Sequence, residues 1–207
     1  MSFDWILSSS LILLAGAIWG LIHSWMASLQ AKRMARRLFG PAADRVYRLF
    51  YNTFAAISLL PLLALAALLP DHLIYAIPAP WVFLTLALQG LAALALLIGL
   101  LQTGLGDFIG LRQLFDPKLE KPQPLVVSGL YRCVRHPLYT AGLAFIWLTP
   151  QMTINLLALY ACFSLYLVIG AYFEERKLLA EHGEAYRKYQ HSTPMLIPRL
   201  PCGNFKV

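Results

Sequence analysis

The chain is 207 residues long, 59% hydrophobic and 13% charged, with a mean hydropathy of +0.62. Those values exclude an ordinary soluble domain. Its 17 Lys and Arg outnumber 10 Asp and Glu, for a net charge of +7, but they sit between apolar runs, which marks membrane topology and excludes a nucleic-acid surface.

Residues 5–28, 46–69, 81–102 and 153–173 are apolar stretches long enough to span a bilayer as helices. The first has no basic segment before it and no small-residue cleavage site after it, so it reads as a retained helix rather than a signal peptide. His23-Ser24 lies in its inner half. A histidine there is either a hydrogen-bonded packing residue or a group that approaches a site from the membrane. The run Lys32-Arg33-Met34-Ala35-Arg36-Arg37 follows and suits anionic lipid at the inner leaflet. Gly40-Pro41 stops it, and Asp44 reads as the N-cap of the second helix. Gly99, Gly104, Gly106 and Gly110 loosen the end of the third helix and the loop beyond, and the run from Gly106 to Gln113 matches no nucleotide-binding loop. Pro117, Pro122 and Pro124 then impose an extended path. Residues 138–148 make a further apolar helix of about half a bilayer at ~1.5 Å per residue. Pro150 ends it and Thr153 restarts the chain.

All 17 Lys and Arg fall within 32–48, 112–135 and 176–206, while the other connections carry only Asp4, Asp71 and His72. The fold expected is all-α and integral to the membrane, with five transmembrane helices. The last two form a helical hairpin, and a C-terminal helical lid lies on the cytoplasmic side. The positive-inside bias puts the N-terminus outside and the C-terminus in the cytoplasm. One membrane domain, 1–207, then divides into helices one to three (1–105), a cytoplasmic loop (106–137), the hairpin (138–173) and the tail (174–207). Cys133, Cys162 and Cys202 show no metal-ligand spacing and read as free thiols.

The chemistry concentrates at the two ends of the hairpin. Arg135-His136-Pro137-Leu138-Tyr139, with Gly142 beyond, opens it, and Glu174-Glu175 closes it. Pro137 suits the first position of a helix, which sets Arg135 and His136 at its positive end and makes an anion site. Tyr139 and Gly142 are one turn apart, so a planar ring has a platform and a gap beside it. A carboxylate at Glu174 or Glu175 can hold an amine, a ribose diol or a sulfonium, or pair with Arg135. The plain alternative is a structural salt bridge with interfacial tyrosines. Tyr139 is about 18 Å and Glu174 about 33 Å from the turn at helical rise, so tilt or an extension of the last helix has to bring them together.

Gly129-x-Tyr131-Arg132-x-x-Arg135-His136-Pro137-x-Tyr139-x-x-Gly142, with Glu174-Glu175, Leu178, Gly183, Tyr186, Tyr189, Pro194 and Pro198 after it, strongly resembles the integral-membrane methyltransferases. That superfamily includes isoprenylcysteine carboxyl methyltransferase and the phospholipid methyltransferases. The resemblance covers about residues 103–200. Phe108-x-Gly110-Leu111-Arg112-Gln113, Thr149-Pro150-x-Met152-Thr153, Pro194-Met195-Leu196-x-Pro198 and His23-Ser24 look most like the bacterial methanethiol S-methyltransferase and NnrU-like branch. His182 and Thr193 depart from the pattern, which has Phe and Val there.

The resemblance implies a methyltransferase of the bacterial inner membrane that binds S-adenosyl-L-methionine and releases S-adenosyl-L-homocysteine. By motif position, Tyr131, His136, Pro137, Tyr139, Gly142 and Glu174 would contact the cofactor, with Tyr186 and Tyr189 closing the pocket from the tail helix. Arg135 and Glu175 would hold the cofactor or organise the reaction centre. A small or lipophilic acceptor would enter from the bilayer, first a thiol, then a prenylcysteine carboxylate or a phospholipid amine. A thiol reacts as thiolate, and His23 is the candidate base. Competing readings are a reductase, disfavoured by the few cations available for a nicotinamide phosphate, and a non-enzymatic NnrU-like membrane protein.

Overall fold

The structure is a computed structural model that describes residues 4–104, 106, 109–111, 114 and 125–202. Phe108, Arg112, Gln113, Pro117, Pro122 and Pro124 of the sequence motifs lie outside the described residues. Seven α-helices account for most of the described chain: α1 Asp4–Ala27, α2 Leu29–Phe39, α3 Ala42–Leu68, α4 Trp81–Thr103, α5 Pro137–Trp147, α6 Ile154–His182 and α7 Glu184–Ser192. Two short strands, β1 Leu73–Ala76 and β2 Gln151–Thr153, and a 3-10 turn, Gly129–Arg132, complete the described elements. Helices α1, α3, α4 and α6 are long and apolar enough to cross a membrane. Their aliphatic side chains stand largely exposed, Leu7, Leu21, Leu60 and Leu97 among them, as a lipid-facing surface requires. Helix α5 has 11 residues, about 16 Å at helical rise, so by itself it covers half a bilayer.

The chain forms two compact units. The first comprises residues 1–76, 105–121 and 151–163. Ile12, Leu62, Ala66, Ala158 and Leu159 form its core, with Trp19, Leu59 and Phe163 packed around them. α1 and the start of α6 approach closely there: a Cβ on Gly16 would sit 2.9 Å from Cys162 Sγ.

β1 and β2 pair antiparallel, Leu73 opposite Thr153 and Ala76 opposite Gln151. Asp71 accepts from the backbone N–H groups of His72 (2.7 Å) and Asn155 (3.0 Å). Buried Asn155 donates to the carbonyls of Leu69 and Pro70 at 3.2 and 3.3 Å. Those bonds satisfy the open carbonyls at the end of α3 and the free N–H groups at the start of α6. The ribbon and its Asn155 clamp were not expected, because three or four residues are too few to show strand alternation.

α2 is a second departure, since the basic run at 32–37 is a helix. Ser28 caps it, accepting from Ala31 N at 3.2 Å, and Gly40 ends it at φ 73°, a conformation glycine adopts freely. Asp44 is not the N-cap of α3. Pro41 takes that position, its φ of −61° already helical. Asp44 falls in the first turn, 3.2 Å from Arg36. Cys133 and Cys202, expected as thiols, are joined in a disulfide, and Cys162 alone is free.

The second unit comprises residues 77–104, 122–150 and 164–207. α4 and α5 run side by side in opposite directions. Ile77 N donates to Pro150 O at 2.8 Å, Gln89 Nε2 to Phe145 O at 2.9 Å, and a Cβ on Gly99 would meet Leu138 Cδ2 at 2.8 Å. The end of α6, α7 and the C-terminal tail complete this unit and carry the polar cluster.

Candidate functional site

Pro137 occupies the first turn of α5 and His136 the cap position before it, as the missing proline N–H and its fixed φ dictate. The segment leading in is held by the tail. Arg135 N donates to Pro194 O at 2.8 Å and His136 N to Met195 O at 3.2 Å. Thr140 Oγ1 donates to Leu196 O at 2.7 Å. The backbone positions of one guanidine and one imidazole residue, Arg135 and His136, are thereby set by pairing with the tail.

Arg135 points at α6 about two turns before its end, because the helix runs on past Glu174-Glu175, expected to close it, to His182. Its Nε donates to Glu175 Oε1 at 2.6 Å, and Nη1 donates to the carbonyls of Gln190 (2.9 Å) and Thr193 (2.5 Å). The two side chains are 10% and 12% exposed. Gln190 Nε2 donates to the other oxygen, Glu175 Oε2, at 3.0 Å. His136 Nε2 lies 3.2 Å from Glu175 Oε1. A desolvated ion pair holds together only when its remaining donors and acceptors are met, and here they are.

Glu174 is placed differently. It is 45% exposed, 3.7 Å from His136 Nδ1, and accepts from Tyr139 OH at 2.8 Å. The rings of His136 and Tyr139 stack, centroids 5.3 Å apart and planes within 5°. The two ends of the apolar segments do meet. Extended residues such as those of β2 advance about 3.3 Å each, against 1.5 Å in a helix, which lengthens the path from Tyr139 to the turn. A Cβ on Gly142 would touch nothing closer than Leu167 Cδ1 at 4.0 Å, so space remains one turn beyond Tyr139.

α7 carries Tyr186 and Tyr189, each 1% exposed. Tyr189 OH donates to Tyr131 O at 2.5 Å. Tyr186 OH, buried, has no hydrogen-bond partner among the described residues. Desolvation pushes the Tyr131 phenol up to about 12, helped by the negative charge of Glu174. The Tyr186 and Tyr189 phenols are raised further, again chiefly by burial, with Glu175 adding to it. All three are neutral hydrogen-bonding groups at physiological pH.

Arg135, His136, Pro137, Tyr139, Gly142, Glu174, Glu175, Tyr131, Tyr186 and Tyr189 therefore all belong to one unit, and most of them touch. His23 belongs to the other unit. There its Nε2 is hydrogen-bonded to Tyr51 OH at 2.7 Å, and its ring stacks on Trp19 at 4.8 Å. Trp19 Nε1 in turn donates to Ser58 Oγ at 3.0 Å.

The sequence reading missed Gln190, the Thr193 carbonyl and the Cys133–Cys202 bridge. Tyr186, Tyr189, Gln190 and Thr193 follow an i, i+3, i+4, i+7 spacing, one face of a helix. That stripe was the available signal for Gln190 and Thr193.

No family model and no solved structure matches the chain. It is similar to several curated proteins. Identity is 38% over 95 residues with a methanethiol S-methyltransferase of Crocosphaera subtropica, covering 44% of this chain and 37% of that protein. It is 42% over 98 residues with the methanethiol S-methyltransferase of Pseudomonas deceptionensis, covering 45% and 37%. With the enzyme of that name from Mycobacterium tuberculosis it is 36% over 95 residues, covering 44% and 39%. The matched stretch spans less than two-fifths of the length of these relatives.

Proposed function

We propose that this chain is an S-adenosylmethionine-dependent integral-membrane methyltransferase that methylates a small or lipophilic thiol, methanethiol being the type of acceptor. The observation that carries the reading is the cluster on α6. One glutamate, Glu175, is consumed by Arg135 and Gln190, while its neighbour Glu174 stays half-exposed beside an aromatic pair. The similarity to methanethiol S-methyltransferases supports the acceptor class.

The residues present fit the cofactor. Glu174 offers a carboxylate for an ammonium or a ribose diol. His136 and the N-terminal end of α5 offer positive potential for a carboxylate, and the buried Tyr186 hydroxyl is a donor and acceptor with an open valence. S-adenosylmethionine, when bound, supplies a methyl group activated on a sulfonium. Transfer to a thiolate is a displacement that needs alignment and a dry site more than strong acid–base groups. Arg135 and Glu175 position the loop before α5 against α6 and the tail. Tyr186 and Tyr189 exclude water as a lid. His23, hydrogen-bonded to Tyr51, is the candidate to take the thiol proton.

The membrane arrangement belongs to the same reading. Five crossings are read from the apolar segments, the N-terminus outside and C-terminus in the cytoplasm from the charge bias, and a bacterial inner membrane from the resemblance. The bonds from Ile77 to Pro150 and from Gln89 to Phe145 support a full crossing by α5 and the residues after it, alongside α4. α2 is amphipathic, with Lys32, Arg33, Arg36 and Arg37 on one face and exposed Met34 and Leu38 away from them. That pattern suits a helix lying on an anionic inner leaflet.

The test is methyl transfer in proteoliposomes with radiolabelled S-adenosylmethionine, offering an alkanethiol, a prenylcysteine and a phosphatidylethanolamine separately. Label appearing in the volatile thioether supports the reading. Label only in the prenylcysteine ester or the lipid moves the acceptor, and no label with any of the three contradicts the enzyme.

A further inference from the structure

The tail between Thr193 and Cys202 lies along the segment that carries Arg135 and His136, and three features hold it there. Backbone bonds join Arg135 to Pro194, His136 to Met195, and Arg199 N to Cys133 O at 3.1 Å. Arg135 itself donates to the Thr193 carbonyl. A disulfide joins Cys133 to Cys202, 69 residues apart in sequence. Beside that bridge is a cavity of about 270 Å³ lined by Arg132, Ser192, Pro194, Arg199, Pro201 and Cys202.

We propose that Cys133–Cys202 is a reversible thiol–disulfide exchange site, a clasp on the tail that small thiolates open through this arginine-lined cavity. The inference rests on the cytoplasmic placement of the tail given above. A permanent bridge is not expected on that side of the membrane, where the thiol pool keeps cysteines reduced and the bridges that do form are exchangeable. Two guanidinium groups on the cavity wall favour approach of an anionic sulfur, and cations near a cysteine stabilise its thiolate as leaving group. Cys202 lines the cavity, so its Sγ is the atom attacked.

The incoming thiolate forms a mixed disulfide with Cys202 and expels Cys133 as thiolate. A second thiolate attacks the mixed disulfide, leaves as the oxidised dimer, and releases Cys202 as thiolate. Two equivalents of thiol are oxidised for one bridge reduced. The small thiols that open the clasp are of the same chemical class as the proposed acceptor. With the bridge open, the tail and its Thr193 carbonyl rest on hydrogen bonds alone, and the site loosens around Arg135.

The test uses the full chain purified in detergent without reductant. Denatured directly, it takes up one maleimide, at Cys162. After the folded protein is incubated with glutathione or an alkanethiol, it takes up three. The same treatment speeds hydrogen exchange at the Arg135, His136 and Arg199 amides on the order of tenfold, as expected for release of a local segment. Cys202→Ser, or Cys133→Ser if the first misfolds, shows the fast exchange with or without thiol. Arg199→Ala slows opening by glutathione several-fold. Three maleimides before any thiol is added overturn the proposal, as do exchange rates that reduction leaves unchanged. An opening rate indifferent to Arg199→Ala overturns the cavity as the route. None of these readouts uses methyl transfer, so the clasp and the methyltransferase reading stand or fall separately.

Discussion

Tyr186 carries a buried hydroxyl with no partner among the described residues, and a group in that condition costs about 1–3 kcal/mol. Tyr186→Phe removes it and is expected to raise the melting temperature of the ligand-free protein. If the hydroxyl bonds the cofactor, the same change weakens S-adenosylhomocysteine binding by roughly threefold to tenfold. Opposite signs in the two measurements mark a group held for a ligand, whereas a fall in both marks a packing residue. The adjacent glutamates separate in the same way. Glu175 is part of a desolvated pair with Arg135, so Glu175→Ala or Arg135→Ala should lower stability by about 3–5 kcal/mol, read by thermal unfolding. Glu174 is half-exposed and bonded to Tyr139, so Glu174→Ala should leave unfolding nearly unchanged and remove binding.

Helix packing is tight where α1 meets the start of α6. Gly16→Ala brings a methyl group to 2.9 Å from Cys162 Sγ, an overpacking expected to cost about 1–3 kcal/mol, and Cys162→Ala in the same chain should recover most of it. If Gly16→Ala unfolds at the wild-type temperature, that close approach is absent. In the second unit, the buried tyrosines give a pH dependence. Unfolded tyrosine ionises near about 10, and in the fold Tyr131 holds its proton to about 12. Between those values the folded chain binds more protons than the unfolded one, so stability falls as pH rises. The melting temperature should be flat below about pH 9 and drop by about pH 11, and a flat profile through both contradicts the buried phenols. The long helices and the pairing of Arg135 with one of the two adjacent glutamates were legible because apolar length and helix-end chemistry are local signals, but which glutamate was not. The ribbon, the Asn155 clamp and the Cys133–Cys202 bridge were not, because each joins short segments far apart in the chain, and nothing in either segment alone names the partner. α2 was not drawn as a separate element for another reason, since its basic run read only as a solvated anchor on anionic lipid.

For the whole molecule, the two charged ends of the apolar segments gather into one polar cluster in the second unit, while His23 and Tyr51 form a separate polar contact in the first. Sidedness is checked by cysteine-accessibility labelling of intact cells, which should reach the loop at Asp71 from outside and the tail at Arg187 only after lysis. The reverse pattern overturns the topology. The central claim is tested most directly by calorimetric titration of S-adenosylhomocysteine into the detergent-purified protein, its Glu174→Ala variant alongside. The account predicts saturable binding to the wild type and none to the variant, with both unfolding at the same temperature. A folded wild type that takes up no ligand, or a variant that binds equally well, would contradict it.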